Sequence, residues 1–496
     1  MKLNKIITAF GAALLALTSL SPLAVSADQL QSAEDVLQDG SFEYESVNGG
    51  YKITKCTATM ITEIPAIRNG VPIIEIGERA FAGFTGISEL VLPDSITTIG
   101  ENAFYGCSNA QTLVLPKKLK SLGEGAFAGC SGITELKIPD SLTEIPVSAF
   151  AKCDHLTTLD LGNGVTKIDS NAFYECTSLS KLTLPPSLTE IGSSAFGELL
   201  SLTEIDASKN DAFTFKDDIL TDKSGKDIYC ALSTIKGTYY VPDGTVTIKG
   251  GAFSAAAGIE ELHVPASVEE IGEGAFSCLF TGEMGYCSLL KNLDLENGLE
   301  TIGDHAFAYT SIERLSLPVT VDEIGNGAFM GNYALTNVIL PEGIKSIGEN
   351  AFYNCDKLRT VAVPKSVKSI GDHAFGFVKS GDEPYEKLDG FKMSVFSRSE
   401  GKKYAKSNSL EYNVKDRSLL KMAFIVVCVG IGLAAIVYSC VLMSRSRKRA
   451  SASVRKAIKE EKEKAEEASY KKIIDSDDSD TNKTDNTEET EGSSED

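Results

Sequence analysis

The chain has 496 residues, 42% of them apolar and 24% charged, which is ordinary for a folded protein. Its formal net charge of −21 argues against a nucleic-acid partner, because displacing counterions from phosphates needs a basic stripe. The length exceeds one small core, so either several domains or one long array must organise it.

Residues 1–27, MKLNKIITAFGAALLALTSLSPLAVSA, follow the pattern of an export signal. Lys2 and Lys5 precede an apolar run from Ile6 to Leu20, and Val25 and Ala27 are the small residues before a cut. Residues 28–75 are expected to form a β-rich N-terminal cap, on the strength of FEYESVNGGYKITKC at 42–56.

From residue 76 the chain repeats itself. An Ala-Phe pair recurs with its aromatic residue at Phe81, Phe104, Phe127, Phe150, Phe173 and Phe196, then at Phe253, Phe276, Phe307, Phe329, Phe352 and Phe375. Within each series the step is 23 residues, apart from one of 31 and one of 22. In the copy containing ELKIP, Leu136 and Ile138 alternate with Glu135 and Lys137, the period of a short strand with one face inward. Proline, as at Pro139 and Pro185, then stops the ladder. A second apolar pair such as Leu188 and Ile191 turns inward, and the glycine after it, as at Gly100 and Gly192, allows a corner that a Cβ would obstruct. The Ala-Phe segment is expected to close the coil as a helical turn. One coil cannot bury its own apolar edge. Stacked coils can, each strand pairing with the next at about 4.8 Å and each Phe lying on the one before. The fold class that follows is an α/β-type solenoid, mostly β, with about 12 coils over 76–206 and 246–378.

These residues resemble the BspA-type leucine-rich repeats of bacterial surface proteins, over roughly 42–414. The 23-residue period, the Leu-Pro step and phrases such as IGENAFYGC carry the resemblance, with two further features. The interruption at 207–245 is similar to the family's two-stranded β-hairpin inserts, turning here at DKSGKD. The alternation of Phe213, Phe215, Ile219 and Leu220 around Ser224-Gly225 is consistent with that. The segment GFKMSVFSRSEGKKYAKSNSLEYNVK is similar to the family's closing cap, which places a C-terminal cap and linker at 379–417. The resemblance implies a surface-displayed recognition or adhesion protein without catalysis.

Beyond the cap, 418–443 is expected to be a transmembrane helix. Its uncharged stretch Met422 to Met443 would extend about 33 Å at 1.5 Å per residue. Arg445, Arg447, Lys448 and Arg449 place the following side in the cytoplasm. The chain is thus read as a single-pass membrane protein, its N-terminus extracellular. The tail, 444–496, is basic and helical at first, which suits anionic lipid, then acidic and expected to be disordered.

No motif for catalysis or metal binding emerges, and no cofactor is expected. His155, His263, His305 and His373 are scattered. Cys107, Cys130, Cys153, Cys176 and Cys355 share one place in the repeat, where Phe84, Leu199 or Ala256 stands elsewhere. That column reads as buried thiols acting as small apolar groups. Cys278 with Cys287 is the pair worth testing for a disulfide. The candidate binding face consists of outward strand positions: Glu135, Lys137, Thr158, Asp160, Lys181, Thr183, Glu204, Asp206, Glu261, His263, Asp294 and Arg314. This series is polar, mildly acidic and without an aromatic side chain. It favours an extracellular protein or peptide with basic patches over a stacked sugar. A transmembrane sensor relaying binding through its tail, and a passive envelope scaffold, are the other readings.

Overall fold

A computed structural model describes residues 37–38, 40–61, 63–277, 289–381 and 383–415. The expected export signal, the Cys278 and Cys287 pair, the apolar run at 418–443 and the tail lie outside the described residues. Among the described residues no helix is long and apolar enough to cross a membrane.

Each regular coil contributes two short strands. The first has three residues, as in Glu89–Val91, Thr112–Val114, Glu135–Lys137 and Thr158–Asp160, with the middle residue buried and its neighbours exposed. Proline keeps it short: Leu92 still donates to the carbonyl of Val114, and Pro93 then has no N–H to give. Pairing is parallel and shifted by one period, so Glu135 faces Thr158, Leu136 faces Leu159 and Lys137 faces Asp160. The second strand has two residues, as in Thr98–Ile99 and Glu190–Ile191, each with a buried isoleucine. Six such elements, from Thr247–Ile248 to Ser369–Ile370, join three longer strands in one nine-stranded sheet that starts at Phe213.

The phenylalanines form two columns, Phe81 to Phe196 and Phe253 to Phe375. The rings of Phe104, Phe127 and Phe150 follow one another at 5.1 and 5.5 Å with planes within 2° of parallel. All twelve repeat phenylalanines are buried. Each contributes roughly 2 to 3 kcal/mol by leaving water, which one coil alone cannot realise.

The Ala-Phe segment is not a helical turn. Asn102, Phe104 and Gly106 donate their N–H groups to Glu124, Ala126 and Ala128 of the next coil, while Ala103, Tyr105 and Cys107 donate back three residues within their own coil. A helix, whose N–H groups all point along one axis, cannot alternate in this way. The alternation needs left-handed backbone two residues before and two after the Phe, as at Asn102 (φ 51°) and Gly106 (φ 71°). Asn, Gly, Ser, His and, at position 79, Arg fill the first of these places and glycine often fills the second; of these types glycine, asparagine and histidine tolerate positive φ most readily.

The interruption differs from the expected two-stranded hairpin. Phe213–Lys216, Ile219–Asp222 and Asp227–Ala231 form an antiparallel meander of three strands. Its first turn is Asp217-Asp218, both at positive φ, and Asp222 ties the second turn by accepting the N–H groups of Ser224, Lys226 and Asp227. The third strand joins the coil stack. Ile228 pairs in parallel with Ile248, Ala231 donates to the carbonyl of Ala252, and Lys236–Tyr240 pairs in parallel with Gly258–Val264. Residues 227–245 are therefore a coil in which Cys230-Ala231 stands where Ala-Phe would, and counting by phenylalanine passes over it.

Both ends of the stack are covered. The hairpin Phe42–Val47 with Gly50–Cys56 pairs onward with Val71–Ile76, and Phe42 starts the first ring column 5.9 Å from Phe81. At the other end Thr360–Ala362, Lys392–Val395 and Glu411–Val414 run parallel beside the helix Glu400–Ser407. Ser399 caps that helix by accepting the N–H of Lys402 at 3.3 Å.

Candidate binding face

The alternation inside each three-residue strand decides where the candidate residues go. Leu136, Leu159 and Leu182 turn inward, so Glu135, Lys137, Thr158, Asp160, Lys181, Thr183 and Glu204 stand exposed in register, coil above coil. Asp206, Glu261 and His263 are half-buried, and Asp294 and Arg314 are exposed.

The charges on this face are partly spent on one another. Lys137 Nζ lies 2.7 Å from Asp160 Oδ2, and Lys181 Nζ lies 2.6 Å from Glu204 Oε1, each pair one coil apart. The Lys137 ammonium and the N–H of Gly162 hold the Asp160 carboxyl below the usual range, and Asp160 in turn raises Lys137. Asp206 is lowered by the hydroxyl and N–H of Ser208. Asp160 and Asp206 thus close local turns, accepting from the N–H of Gly162 and of Ser208 at 2.9 Å each.

The face has an aromatic side chain that reading by phenylalanine spacing missed. Tyr240 stands opposite His263, which stands opposite Asp294. The tyrosine is 66% exposed and its ring stacks on the imidazole, centroids 4.4 Å apart and planes within 7°. The imidazole is held by carboxylates on both sides, Nε2 at 3.4 Å from Glu261 Oε1 and Nδ1 at 3.3 Å from Asp294 Oδ2. A signal for Tyr240 existed: Tyr-Val-Pro at 240–242 lies one period before His-Val-Pro at 263–265.

The cysteine column is an inward feature. The thiols of Cys107, Cys130 and Cys176 lie 3.2, 3.2 and 3.3 Å from the carbonyls of Phe81, Phe104 and Phe150, each the phenylalanine of the preceding coil. Asn332 supplies the equivalent contact to the carbonyl of Phe307 at 2.8 Å. Among the described residues every cysteine is a free thiol. The neighbouring thiols and burial push Cys130 and Cys153 well above the usual thiol range, which keeps them unreactive. No cluster that could hold a metal ion is found among the described residues.

A stack of two-stranded parallel coils presenting one in-register face defines a leucine-rich-repeat solenoid. The chain belongs to the BspA type leucine rich repeat family, whose model matches with 6 copies over residues 61–162, 98–225, 228–284 and 246–380. Among solved structures it is similar to the pneumococcal vaccine antigen PcpA, at 23% identity and a TM-score of 0.54, over 77% of this chain and 98% of that one. It is also similar to a leucine rich cell surface protein from Faecalibacterium prausnitzii A2-165, at 22% identity and a TM-score of 0.44, over 78% of this chain and 96% of that one. At such identities the likeness concerns the fold. No curated protein matches the sequence.

Proposed function

We propose that this chain is a membrane-anchored bacterial surface protein that displays its solenoid outside the cell to bind a protein or peptide, without catalysis. The observation that carries the reading is the register of the three-residue strands, which fixes outward side chains one period apart on a rigid frame. Rigid presentation lowers the ordering cost of binding, since these positions are already fixed by the backbone ladder. Anchoring rests on the export signal at 1–27 and the apolar run at 418–443. The excess of carboxylates over free cations on the face favours a basic partner.

The full-length chain, purified in detergent, is to be titrated with basic, neutral and acidic peptides immobilised on a sensor. Saturable binding of the basic set, weakened by salt, is expected. Binding without preference for charge, or none, would overturn the reading. Protease shaving of intact cells tests the topology: cleavage within 28–414 and protection of 444–496 are expected. Removing 460–496 addresses the sensor reading: adhesion should survive that deletion, whereas a signal relayed through the tail would be lost.

A further inference from the structure

The C-terminal end of the stack carries a charge opposite to that of the chain. Between Phe391 and Lys415 stand six lysine or arginine residues against two glutamates, whereas the whole chain has a net charge of −21. Both glutamates are already matched, Glu411 to Lys392 and Glu400 to Lys403, at 3.0 Å each. Arg398, Lys402, Lys406 and Lys415 have no ion pair among the described residues. The helix Glu400–Ser407 sets where its lysines point. Its buried residues are Gly401, Tyr404 and Ala405, and the Tyr404 ring seats edge-on against Phe375, the last of the repeat phenylalanines. At about 3.6 residues per turn, the exposed Lys403 and Lys406 fall on the opposite side, with Lys402 beside them. The outer surface of the cap helix is therefore a lysine face without an apolar side chain.

We infer that this lysine face docks on the anionic lipid head groups of the membrane that holds the chain, an inference that rests on the anchoring proposed above. Two observations point to lipid. The chain leaves the last layer at Val414, in the strand paired beside Lys392–Val395, and seven residues separate it from the uncharged run that starts at Met422. Even fully extended, that tether reaches at most about 28 Å. The cap is thus held near the bilayer whatever the rest of the stack binds. Second, the tether adds Arg417 and Lys421 to the same basic side. Ammonium groups without apolar neighbours suit head-group phosphates, whose attraction acts over a screening length of about 8 Å at physiological salt, and do not suit hydrocarbon. A soluble acidic peptide would match the charge, but nothing delivers it to this end of the molecule, whereas the anchor presents lipid there at high effective concentration. The contact limits how far the solenoid swings about its tether.

The test places the full-length chain in nanodiscs of neutral phosphatidylcholine and in nanodiscs containing anionic phosphatidylglycerol, with lysine acylation followed by mass spectrometry. Lys402, Lys403 and Lys406 are expected to react about fivefold more slowly over the anionic lipid, the protection fading as salt is raised. The exposed Lys117, Lys118 and Lys120 of an interior coil should react equally in both. Lys402→Glu with Lys406→Glu should abolish the protection of Lys403, whereas Lys402→Arg with Lys406→Arg should keep it, which separates charge from a disturbed helix. Equal rates in the two lipids would overturn the inference and leave the anchor standing. Protection by soluble polyphosphate in neutral nanodiscs, without protection by anionic lipid, would overturn it too, by assigning the face to a free polyanion. A chain that does not enter nanodiscs would refute the anchor and the inference together.

Discussion

Tyr404 closes the second phenylalanine column with a single oxygen. Its Oη accepts the N–H of Phe375 at 2.9 Å and donates to the carbonyl of the same residue at 3.0 Å. In the interior of the stack these two groups go to different partners: Phe104 donates to Ala126, and the carbonyl of Phe104 accepts from the Cys130 thiol. The cap therefore reproduces with one side chain what a further coil would have provided. A solenoid without such a device would end in buried polar groups lacking partners.

Tyr404→Phe removes that oxygen with little change in shape. Leaving the Phe375 amide without its acceptor should cost roughly 1 to 3 kcal/mol. Hydrogen exchange is the sensitive measurement. Protection should fall at Phe375 and its neighbours and stay unchanged near Phe127, because each coil touches only the next.

Phe150→Ala should cost about 3 to 5 kcal/mol. The residue lies between Phe127 and Phe173, at 5.5 and 5.6 Å, and is fully buried. Chemical denaturation followed by circular dichroism would show the lowered midpoint, and Phe150→Leu, which refills part of the space, should recover some of it.

Gly100→Ala tests the corner. A Cβ there would stand 2.6 Å from the backbone N of Glu78 and 2.8 Å from the backbone carbon of Gly77, too close for either to be relieved by a side-chain movement. The coils would be forced apart, at a cost of about 1 to 3 kcal/mol read from the thermal midpoint. Gly70→Ala is the comparison: its added Cβ meets nothing nearby, and only its positive φ of 81° opposes the change.

Buried thiols predict an alkaline weakness. Burial pushes the Cys230 thiol up to about 12, whereas a thiol in an unfolded chain titrates near about 8.5. Between those values the unfolded chain releases the proton and the folded chain keeps it, so stability falls as pH rises through that window. Cys230→Ala should make the decline of the melting temperature between about pH 9 and pH 11 shallower. An identical slope in the variant would count against this account.

Lys137→Ala should change stability by less than about 1 kcal/mol, since both partners of the Lys137–Asp160 pair are largely exposed to solvent. Its effect should show instead in binding, where an unpaired Asp160 adds negative charge to the face and tightens basic peptides.

The stacking of the coils is legible in the sequence because it depends on local chemistry repeated many times. The Leu-Pro step, the glycine corner and the Ala-Phe pair each state their role at every copy, as in the phrases around Phe104 and Phe352. The closing turn is not legible in the same way, because Ala and Phe are both compatible with a helix and only the left-handed residues flanking them, such as Asn102 and Gly106, exclude one. The coil at 227–245 leaves no such mark, because Cys230-Ala231 stands in it where the other coils carry Ala-Phe.

What the amino-acid order determined by itself was the period, the inward and outward alternation, and hence which side chains reach the surface, because a strand's two faces follow from parity alone. The tertiary structure decided which outward side chains meet. Tyr240 lies on His263, and His263 lies between Glu261 and Asp294, only because parallel pairing sets three separate segments at one height. Register between strands distant in sequence is a property of the whole stack, set by how each layer seats on its neighbour, and no single copy of the repeat contains it.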